Sequence, residues 1–285
     1  MTGTSPRPEE GPVADAELAL LLEVAATPTP GNVDRRRDLE DIRFEHMLAG
    51  AVGARPGLEA AANGASVGDA FERAVAGMAR RAARNTQFGA LLLLVPLVRA
   101  AGESRLDPAG VEAVVEATTV EDAVGFYAAF DHVAVGVGER PDEVEAPDVA
   151  AGADAEPALR AGDWTLSAVM ADSAGVDDVA REWTTGFERT FAVAERIASG
   201  EGTVLDRAAE AFLEQLATHP DGHVAKRHDE ATAERVRERA AMVREESGGP
   251  ETFAADLVAA GINPGSTADV LAAGLFVALE RGVSV

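Results

Sequence analysis

The chain has 285 residues, of which 47% are apolar and 5% aromatic, so a large core must be built mainly from Ala, Leu and Val side chains. It contains no cysteine, which excludes disulfides, thiolate metal sites and thiol nucleophiles. The formal net charge is -24 at pH 7, which disfavours binding to the phosphate backbone of nucleic acids.

The basic residues are almost all arginine, and Lys226 is the only lysine. An acidic surface with little lysine suits a protein that stays hydrated in concentrated salt. There the Debye length falls to about 3 Å at about 1 M, so self-repulsion is screened. We therefore hypothesise a salt-adapted intracellular protein. The alternative is an ordinary acidic protein.

The N-terminal segment, residues 1–12, is polar and predicts a disordered tail without the pattern of a signal peptide. The longest apolar run, residues 88–98, is too short to span a bilayer and contains Pro96. These features predict a cytoplasmic protein that makes no use of a membrane.

Apolar residues recur at helical spacing from residue 15 to residue 26, and Pro28 and Pro30 end this first helix. Further helices are predicted near 41–54, 66–84, 86–101, 108–117, 119–133, 164–172, 176–199, 203–217, 229–246, 250–260 and 266–281. The stretch 136–157 is rich in Gly, Pro, Asp and Glu and predicts a long surface loop or a linker between two halves. The fold class is therefore all-α: a single multi-helix domain over 13–285, with its active-site loops at helix ends.

The first polar loop, Thr27–Arg37, combines features that suit a phosphorylated ligand. Two prolines stiffen it, and Gly31 allows a ligand to approach the backbone closely. Asp34 offers oxygen to Mg²⁺ or to a hydroxyl group, and the arginines that follow offer forked donors to phosphate. The alternative is a rigid turn between two helices.

Two further loops begin predicted helices. Asn85-Thr86-Gln87-Phe88-Gly89 lies at a helix junction, where a cap and free N–H groups could form an anion site. Asn263-Pro264-Gly265-Ser266-Thr267-Ala268-Asp269 opens the last helix and exposes helix-end N–H groups. Plain capping is the alternative for both.

The segment Thr218–Asp229 contains three histidines but does not have zinc-site spacing. There is no HExxH pattern, and Pro220 interrupts the pair His219 and His223. Asp221 with the basic residues after it suits a polyphosphate and a hard cation better.

Taken in order, these loops resemble those of the triphosphoribosyl-dephospho-CoA synthase family. That family carries a glutamate before a T-P-K-P-G-x-V-D block, then N-T-H-[KR]-G-A, a late block with R-G-G, and N-P-G-G-S-A-D-[LM]. The corresponding segments here are Glu23 with Thr27–Asp34, then Asn85–Ala90, Thr218–His228 and Asn263–Val270, with a weaker match at Trp183–Phe187. The resemblance spans roughly residues 15–280.

The resemblance implies a helical transferase that uses ATP as a ribosyl-triphosphate donor. The family joins ATP to 3'-dephospho-CoA, expels adenine and leaves the triphosphoribosyl group on the acceptor's ribose 2'-hydroxyl. The product is the precursor of the prosthetic group of citrate lyase and malonate decarboxylase. Here Thr29 replaces the family's lysine, Gln87-Phe88 replaces His-[Lys/Arg], and Arg227-His228-Asp229 replaces R-G-G. The acceptor is therefore expected to be dephospho-CoA or a related molecule.

The resemblance also implies roles for residues. Breaking an N-glycosidic bond creates positive charge at the ribose carbon, which a carboxylate stabilises, and a carboxylate can take the acceptor's proton. The candidate catalytic residues are Glu23, Asp34, Asp221 and Asp269, with Asp34 and Asp269 as candidate Mg²⁺ ligands. The candidate substrate and nucleotide ligands are Thr27, Pro30, Gly31, Arg35, Arg36, Asn85, Thr86, Arg227, Asn263, Gly265 and Ser266.

Two other functions remain open from the residues alone: a Mg²⁺-dependent hydrolase acting on a ribosyl bond, and a non-catalytic nucleotide-binding homologue. The predicted partners are small-molecule substrates, ATP with dephospho-CoA or a related acceptor, and not nucleic acid or membrane. The sequence does not indicate the oligomeric state. A shared site requires Asp34, Asn85, Asp221 and Asp269 to line one pocket.

Overall fold

A computed structural model describes residues 11–136, 143–244, 246 and 249–285. These residues form fifteen α-helices and two 3-10 helices and contain no strand. The first eight α-helices are α1 (Pro12–Ala25), α2 (Phe44–Ala62), α3 (Val67–Ala82), α4 (Phe88–Gly102), α5 (Pro108–Glu116), α6 (Val120–Ala128), α7 (Glu156–Ala161) and α8 (Leu166–Ser173). The others are α9 (Asp178–Thr184), α10 (Glu188–Ser199), α11 (Val204–Thr218), α12 (Gly222–Arg227), α13 (Glu230–Val243), α14 (Gly249–Ala259) and α15 (Gly265–Glu280).

The predicted all-α fold is confirmed, and most predicted helices correspond to observed ones within a few residues. The predicted helix at 176–199 is two helices, because Gly186 and Phe187 adopt left-handed backbone angles with φ of 65° and 60°. The short helices α7 and α12 were not predicted. The predicted disordered tail, 1–12, lies outside the described residues up to residue 10, and α1 begins at Pro12.

The predicted loop at 136–157 is helical in its later part. Its 3-10 helix covers Val149–Ala155 and leads directly into α7, while residues 137–142 lie outside the described part. The preceding segment is fixed to the helices: the Tyr127 hydroxyl donates to the carbonyl oxygen of Pro147 at 2.6 Å. The carboxylate of Asp172 accepts from the N–H groups of Glu145 and Ala146 at 2.8 Å each.

The core lies around α4 and α15, which are apolar on almost every side and almost completely buried. Helix α15 packs against α1, α4, α10 and α11, and α4 also contacts α2 and α3. Both helices begin at the same large cavity, so their burial fixes the positions of the two loops that precede them. No helix in the described ranges has both the length and the apolar character needed to cross a membrane.

Candidate active site

A cavity of about 490 Å³ opens where several helices end or begin. Its polar lining comes from α1, α8, α12 and α15 and from the segments before α2, α4, α9 and α15. It includes Glu23, Asn32, Asn85, Thr86, Gln87, Asp148, Ser173, Asp177, His223, Lys226, Asn263, Ser266 and Asp269. Its apolar lining comes mainly from α6, α8, α9 and the segments beside them, and includes Phe126, Phe130, Val144, Val169, Met170 and Val179. All four loops singled out in the sequence contribute to this one cavity.

The first and last loops are packed against each other. Gly31 has φ of 80°, and a Cβ atom placed there would lie 2.4 Å from the carbonyl oxygen of Ile262. The side-chain amide of Asn32 donates to the carbonyl oxygen of Pro264 at 3.2 Å. A glycine is required because only it tolerates both the left-handed backbone and the close approach. The two proline-glycine segments therefore form one side of the site together.

Asp34 does not line the cavity, because its carboxylate is used inside its own loop. It is 1% exposed and accepts hydrogen bonds from the Thr27 hydroxyl (2.8 Å), the Arg36 N–H (2.8 Å) and the Arg37 guanidinium (2.9 Å). The predicted ligands Thr27 and Pro30 are likewise buried in the loop and do not face the cavity. This loop is ordered by Asp34 and presents Asn32 and Val33 to the cavity instead.

The predicted triphosphate ligands also lie outside the cavity lining. Arg35 and Arg36 are exposed, and the guanidinium of Arg36 pairs with the Glu251 carboxylate at 2.7 Å. Arg227, at the end of α12, is exposed as well and does not line the cavity. The described lining residues include no arginine, and the basic groups among them are Lys226 and His223.

Asp221 is fully buried and joins α12 to α15. Its carboxylate accepts from the Val224 N–H at 3.0 Å and from the Thr267 N–H and hydroxyl at 2.8 Å each. Burial raises the pKa of Asp221, and these hydrogen bonds oppose the rise. Beside it, the Ser266 hydroxyl accepts from the His223 N–H at 3.1 Å. Asp221 therefore fixes the third loop against the fourth and does not itself line the cavity.

Glu23 and Asp269 do line the cavity and are its principal acidic pair. Glu23 lies near the end of α1, is 3% exposed, and has its pKa raised to about 8 by burial and then by the negative charge of Asp269. Burial also raises the pKa of Asp269 well above its ordinary value, while a hydrogen bond from the Ala90 N–H opposes the rise. Perturbed carboxyl groups of this kind in a cleft mark a functional site.

Gly89 allows Asp269 to occupy its position. A Cβ atom at residue 89 would lie 2.0 Å from Oδ2 of Asp269, closer than any real contact. The glycine of the second block therefore provides the space for the aspartate of the last block. The contact joins two loops that are 180 residues apart in the chain.

Several polar atoms at the cavity have no hydrogen-bond partner within the described residues. They are the Thr86 hydroxyl, Oε1 of Gln87 and Oδ1 of Asn263, all of which belong to cavity-lining residues. Gln87 is oriented by its Nε2, which donates to the carbonyl oxygen of Leu20 at 3.4 Å. Asn85, by contrast, accepts from the Phe88 N–H at 3.2 Å and so caps α4. Unpaired buried acceptors are costly unless a ligand satisfies them.

Sequence reasoning did not select Gln87, His223 or Lys226 as site residues. Gln87 occupies the position of the family's histidine, and that signal could have identified it. Lys226 pairs with Asp177 at the cavity, and the pKa of His223 is lowered by burial and then by Arg227 and Lys226. Their positions depend on α12, a six-residue helix without a periodic signal.

The two residues predicted as Mg²⁺ ligands are not brought together at the cavity. Asp269 lines it, whereas the carboxylate of Asp34 is held by Thr27 and Arg37. In the part of the chain that the structure describes, no group of three or more His, Cys, Asp or Glu side chains is placed to hold a metal ion. The two predicted ligands therefore do not form a shared magnesium site in the described part of the chain.

An all-α fold in which perturbed carboxyl groups line one cavity is typical of an enzyme active site. Residues 11–284 match the family of ATP:dephospho-CoA triphosphoribosyl transferases (CitG), and the chain belongs to this family. The chain is therefore a transferase, as the resemblance of its four loops predicts.

A solved structure supports the same assignment. The chain is similar to the crystal structure of a protein from Archaeoglobus fulgidus named as a triphosphoribosyl-dephospho-CoA synthase, with 25% sequence identity and a TM-score of 0.70. The similarity covers 84% of this chain and 99% of the other. A search of the curated proteins gave no match.

Proposed function

We propose that this protein transfers the triphosphoribosyl group of ATP to a ribose hydroxyl of dephospho-CoA, or of a closely related acceptor, with release of adenine. The observation that carries the proposal is one cavity in which Gly89 of the second loop contacts Asp269 of the fourth loop. Glu23 lines the same cavity. Such a carboxyl pair supplies the charge and the proton transfers that ribosyl transfer needs.

The anomeric carbon of the donor ribose gains positive charge as the bond to adenine breaks. A carboxylate in a cavity sheltered from water stabilises that charge more strongly than one in bulk solvent. Asp269 is suited to this position because it faces the cavity and its location is fixed by the Ala90 N–H. Asp34 and Asp221 support the site by ordering the loops on either side of it.

The unpaired acceptors suit the hydroxyl groups of a ribose. The side chains of Gln87, Asn263 and Thr86 line the cavity, but these three oxygens have almost no exposed surface. Once the side chains rotate toward the cavity, each oxygen can accept a hydrogen bond from a sugar hydroxyl or from an amino group. An unpaired acceptor attracts a donor and repels a phosphate oxygen. The polar lining formed by the second and fourth loops is therefore assigned to sugar recognition.

The triphosphate is assigned to Lys226 and to the N-terminus of α15. Lys226 is the cationic side chain that the third loop contributes to the cavity lining. Its ion-pair partner Asp177 also lines the cavity. The sixteen-residue helix α15 begins with Gly265 and Ser266, and both residues line the same cavity. Mg²⁺ is proposed to enter with the substrate, as the counter-ion of the ATP phosphates.

The apolar lining suits the less polar parts of the substrates. Phe88 and Phe130 are in ring contact at 4.8 Å between centroids, and both line the cavity beside Phe126. Aromatic faces stack on purine bases, and the aliphatic wall from α8 and α9 offers no competing polar group to a pantetheine chain. Both substrates carry an adenine, and only the acceptor carries the pantetheine arm.

We also propose that the protein acts in the cytoplasm of a cell with concentrated salt. Its substrates are intracellular nucleotides, and its charge of -24 with a single lysine is the composition expected for that environment.

The proposed function is tested by incubating the protein with ATP, Mg²⁺ and dephospho-CoA in concentrated KCl and analysing the products by mass spectrometry. We expect equimolar adenine and a product that has gained the mass of the triphosphoribosyl group. ATP without an acceptor is the control. No adenine and no mass gain would contradict the proposal, and adenine without a transferred product would identify a hydrolase.

A further inference from the structure

We propose that Glu23 is the general acid that protonates the departing adenine, while Asp269 is the base that accepts the proton of the acceptor hydroxyl. This assignment deepens the proposed function and rests on it. It assigns one carboxyl group as the acid and the other as the base, according to the hydrogen-bond donors around each of them.

Glu23 is placed to hold a proton. It lines the cavity and is 3% exposed, and its carboxyl group has no hydrogen-bond donor or cationic partner among the described residues. Helix α1 packs against α2, α4, α11 and α15, and the one charged group that acts on Glu23 from these helices is Asp269. A carboxylate without a donor or a cation is poorly stabilised, and the pKa of about 8 leaves Glu23 protonated at neutral pH.

Asp269 has the surroundings of the ionised partner. It lies near the N-terminus of α15 and accepts a hydrogen bond from the Ala90 N–H at the N-terminus of α4. Helix N-termini favour a negative charge, so the start of α4 stabilises the ionised form of this carboxylate. Burial raises the pKa of both acids, but only Asp269 has a donor, which favours its ionised form, and the negative charge of Asp269 further raises the pKa of Glu23.

Adenine is a poor leaving group as an anion and a good one once a ring nitrogen carries a proton. As the acceptor oxygen bonds to the ribose carbon, the carbon–nitrogen bond to adenine breaks and its electron pair leaves with the base. The Glu23 carboxyl gives its proton to adenine, and the Asp269 carboxylate takes the proton of the attacking hydroxyl. Return of that proton from Asp269 to Glu23 restores the site.

The test compares two donors whose bases differ in their need for a proton. ATP releases adenine, which must be protonated as it leaves. In N7-methyladenosine triphosphate the base already carries a positive charge, so it leaves as a neutral molecule without a proton from the enzyme. For Glu23→Gln we expect kcat with ATP to fall by roughly 10² to 10⁴-fold and kcat with the methylated donor to change by less than about tenfold. Asp269→Asn is expected to slow both donors.

Glu182→Gln is the matched control, because Glu182 is a buried carboxyl group that caps α10 through Thr190 and does not line the cavity. It should leave the ratio of rates for the two donors unchanged. The wild-type protein gives an independent readout. Its rate with ATP should fall at high pH as Glu23 loses its proton, near pH 8, and its rate with the methylated donor should not.

Equal losses with both donors in Glu23→Gln would overturn the role of Glu23, as would the same high-pH fall of the wild-type rate with both donors. Those results leave the transferase activity itself intact. Absence of any product from the wild-type protein with ATP would instead contradict the proposed function, and this assignment with it.

Discussion

At the residue scale, the contact between Gly89 and Asp269 is the most sensitive point of the site. The backbone at Gly89 leaves a space that Oδ2 of Asp269 occupies, 2.0 Å from where a Cβ atom would be. Gly89→Ala must displace the aspartate, and Asp269 would lose its place beside the Ala90 N–H. We expect kcat/KM to fall by roughly tenfold or more, about 1.4 kcal/mol of transition-state stabilisation.

Gly175→Ala is the matched control for that prediction, because nothing lies within 4 Å of a Cβ atom at Gly175. It should keep both the activity and the melting temperature of the wild-type protein. Steady-state kinetics together with thermal unfolding separates a local displacement of Asp269 from general destabilisation. An unchanged kcat/KM in Gly89→Ala would show that Asp269 can move without loss.

The buried proton of Glu23 predicts a pH-dependent stability. Its pKa is about 8 in the folded protein against 4.5 ordinarily, so the folded state keeps a proton that the unfolded chain releases. The stability that Glu23 contributes is complete below about pH 4.5 and is lost as pH rises through 8. Residue 23 does not titrate in Glu23→Gln. As the pH rises from 5 to 9, the free energy of unfolding of this variant should therefore increase relative to that of the wild-type protein by roughly 2 to 5 kcal/mol.

Urea unfolding of both proteins at the two pH values measures this difference, in which titrating groups not coupled to Glu23 cancel. A difference that stays constant between pH 5 and pH 9 would mean that Glu23 is ionised in the folded state. It would also remove the basis for its role as an acid.

The carboxylates show how far single residues could be predicted. Glu23, Asp34, Asp221 and Asp269 were all selected from the sequence, yet only Glu23 and Asp269 line the cavity. Asp34 and Asp221 are as buried as Glu23 and more buried than Asp269, and N–H groups and hydroxyls of the protein lie within hydrogen-bond distance of their carboxylates. Sequence shows where a carboxylate stands in the chain, whereas the tertiary fold decides whether a protein donor or a ligand satisfies it.

At the element scale, the boundaries set by proline and glycine were predictable and those set by tertiary contacts were not. Pro28 and Pro30 end α1, and Pro264 precedes α15, as local rules require. The break between α9 and α10 at Gly186 and Phe187 was not predicted, and a buried side chain holds it in place. The buried Glu182 carboxylate accepts from the N–H groups of Arg189 and Thr190 at 3.3 Å and 2.9 Å, and so begins a new helix. No local sequence pattern predicts that contact.

The packing of the first loop on the last loop predicts a pair of contrasting glycine substitutions. Gly31 and Gly64 both have positive φ, 80° and 90°. Alanine at either position meets backbone strain of about 1 kcal/mol. At Gly31 the new methyl group would also meet the Ile262 carbonyl oxygen at 2.4 Å, whereas nothing lies within 4 Å at Gly64.

We therefore expect Gly31→Ala to lower the free energy of unfolding by roughly 1 to 3 kcal/mol more than Gly64→Ala does. It should also reduce activity, because separation of the two loops moves Asn32 away from Pro264. Chemical denaturation and the product assay measure the two effects. Equal losses for both variants would show that the loops are not closely packed in solution.

At the scale of the whole molecule, the cavity explains how one domain can hold a site made from distant segments. Helices α4 and α15 form the buried centre, so the loops before them are fixed by the most stable part of the fold. The first and third loops then attach to α15 and its preceding loop through Asn32 and Asp221. The helical periodicity predicted this fold class, but the meeting point of the loops depends on packing that only the structure provides.

The last prediction follows from the net charge and concerns the stability of the whole molecule. A charge of -24 on 285 residues causes self-repulsion that favours unfolding at low ionic strength. We expect the melting temperature to rise steeply with KCl from a few millimolar to about 1 M, where the Debye length is about 3 Å. Sucrose, which strengthens burial without screening charge, is the control and should raise the melting temperature less.

Activity should follow the same KCl dependence, because the loops that form the cavity must stay assembled against the repulsion. Full stability and activity without salt would contradict salt adaptation, and the acidic composition would then be that of an ordinary acidic protein.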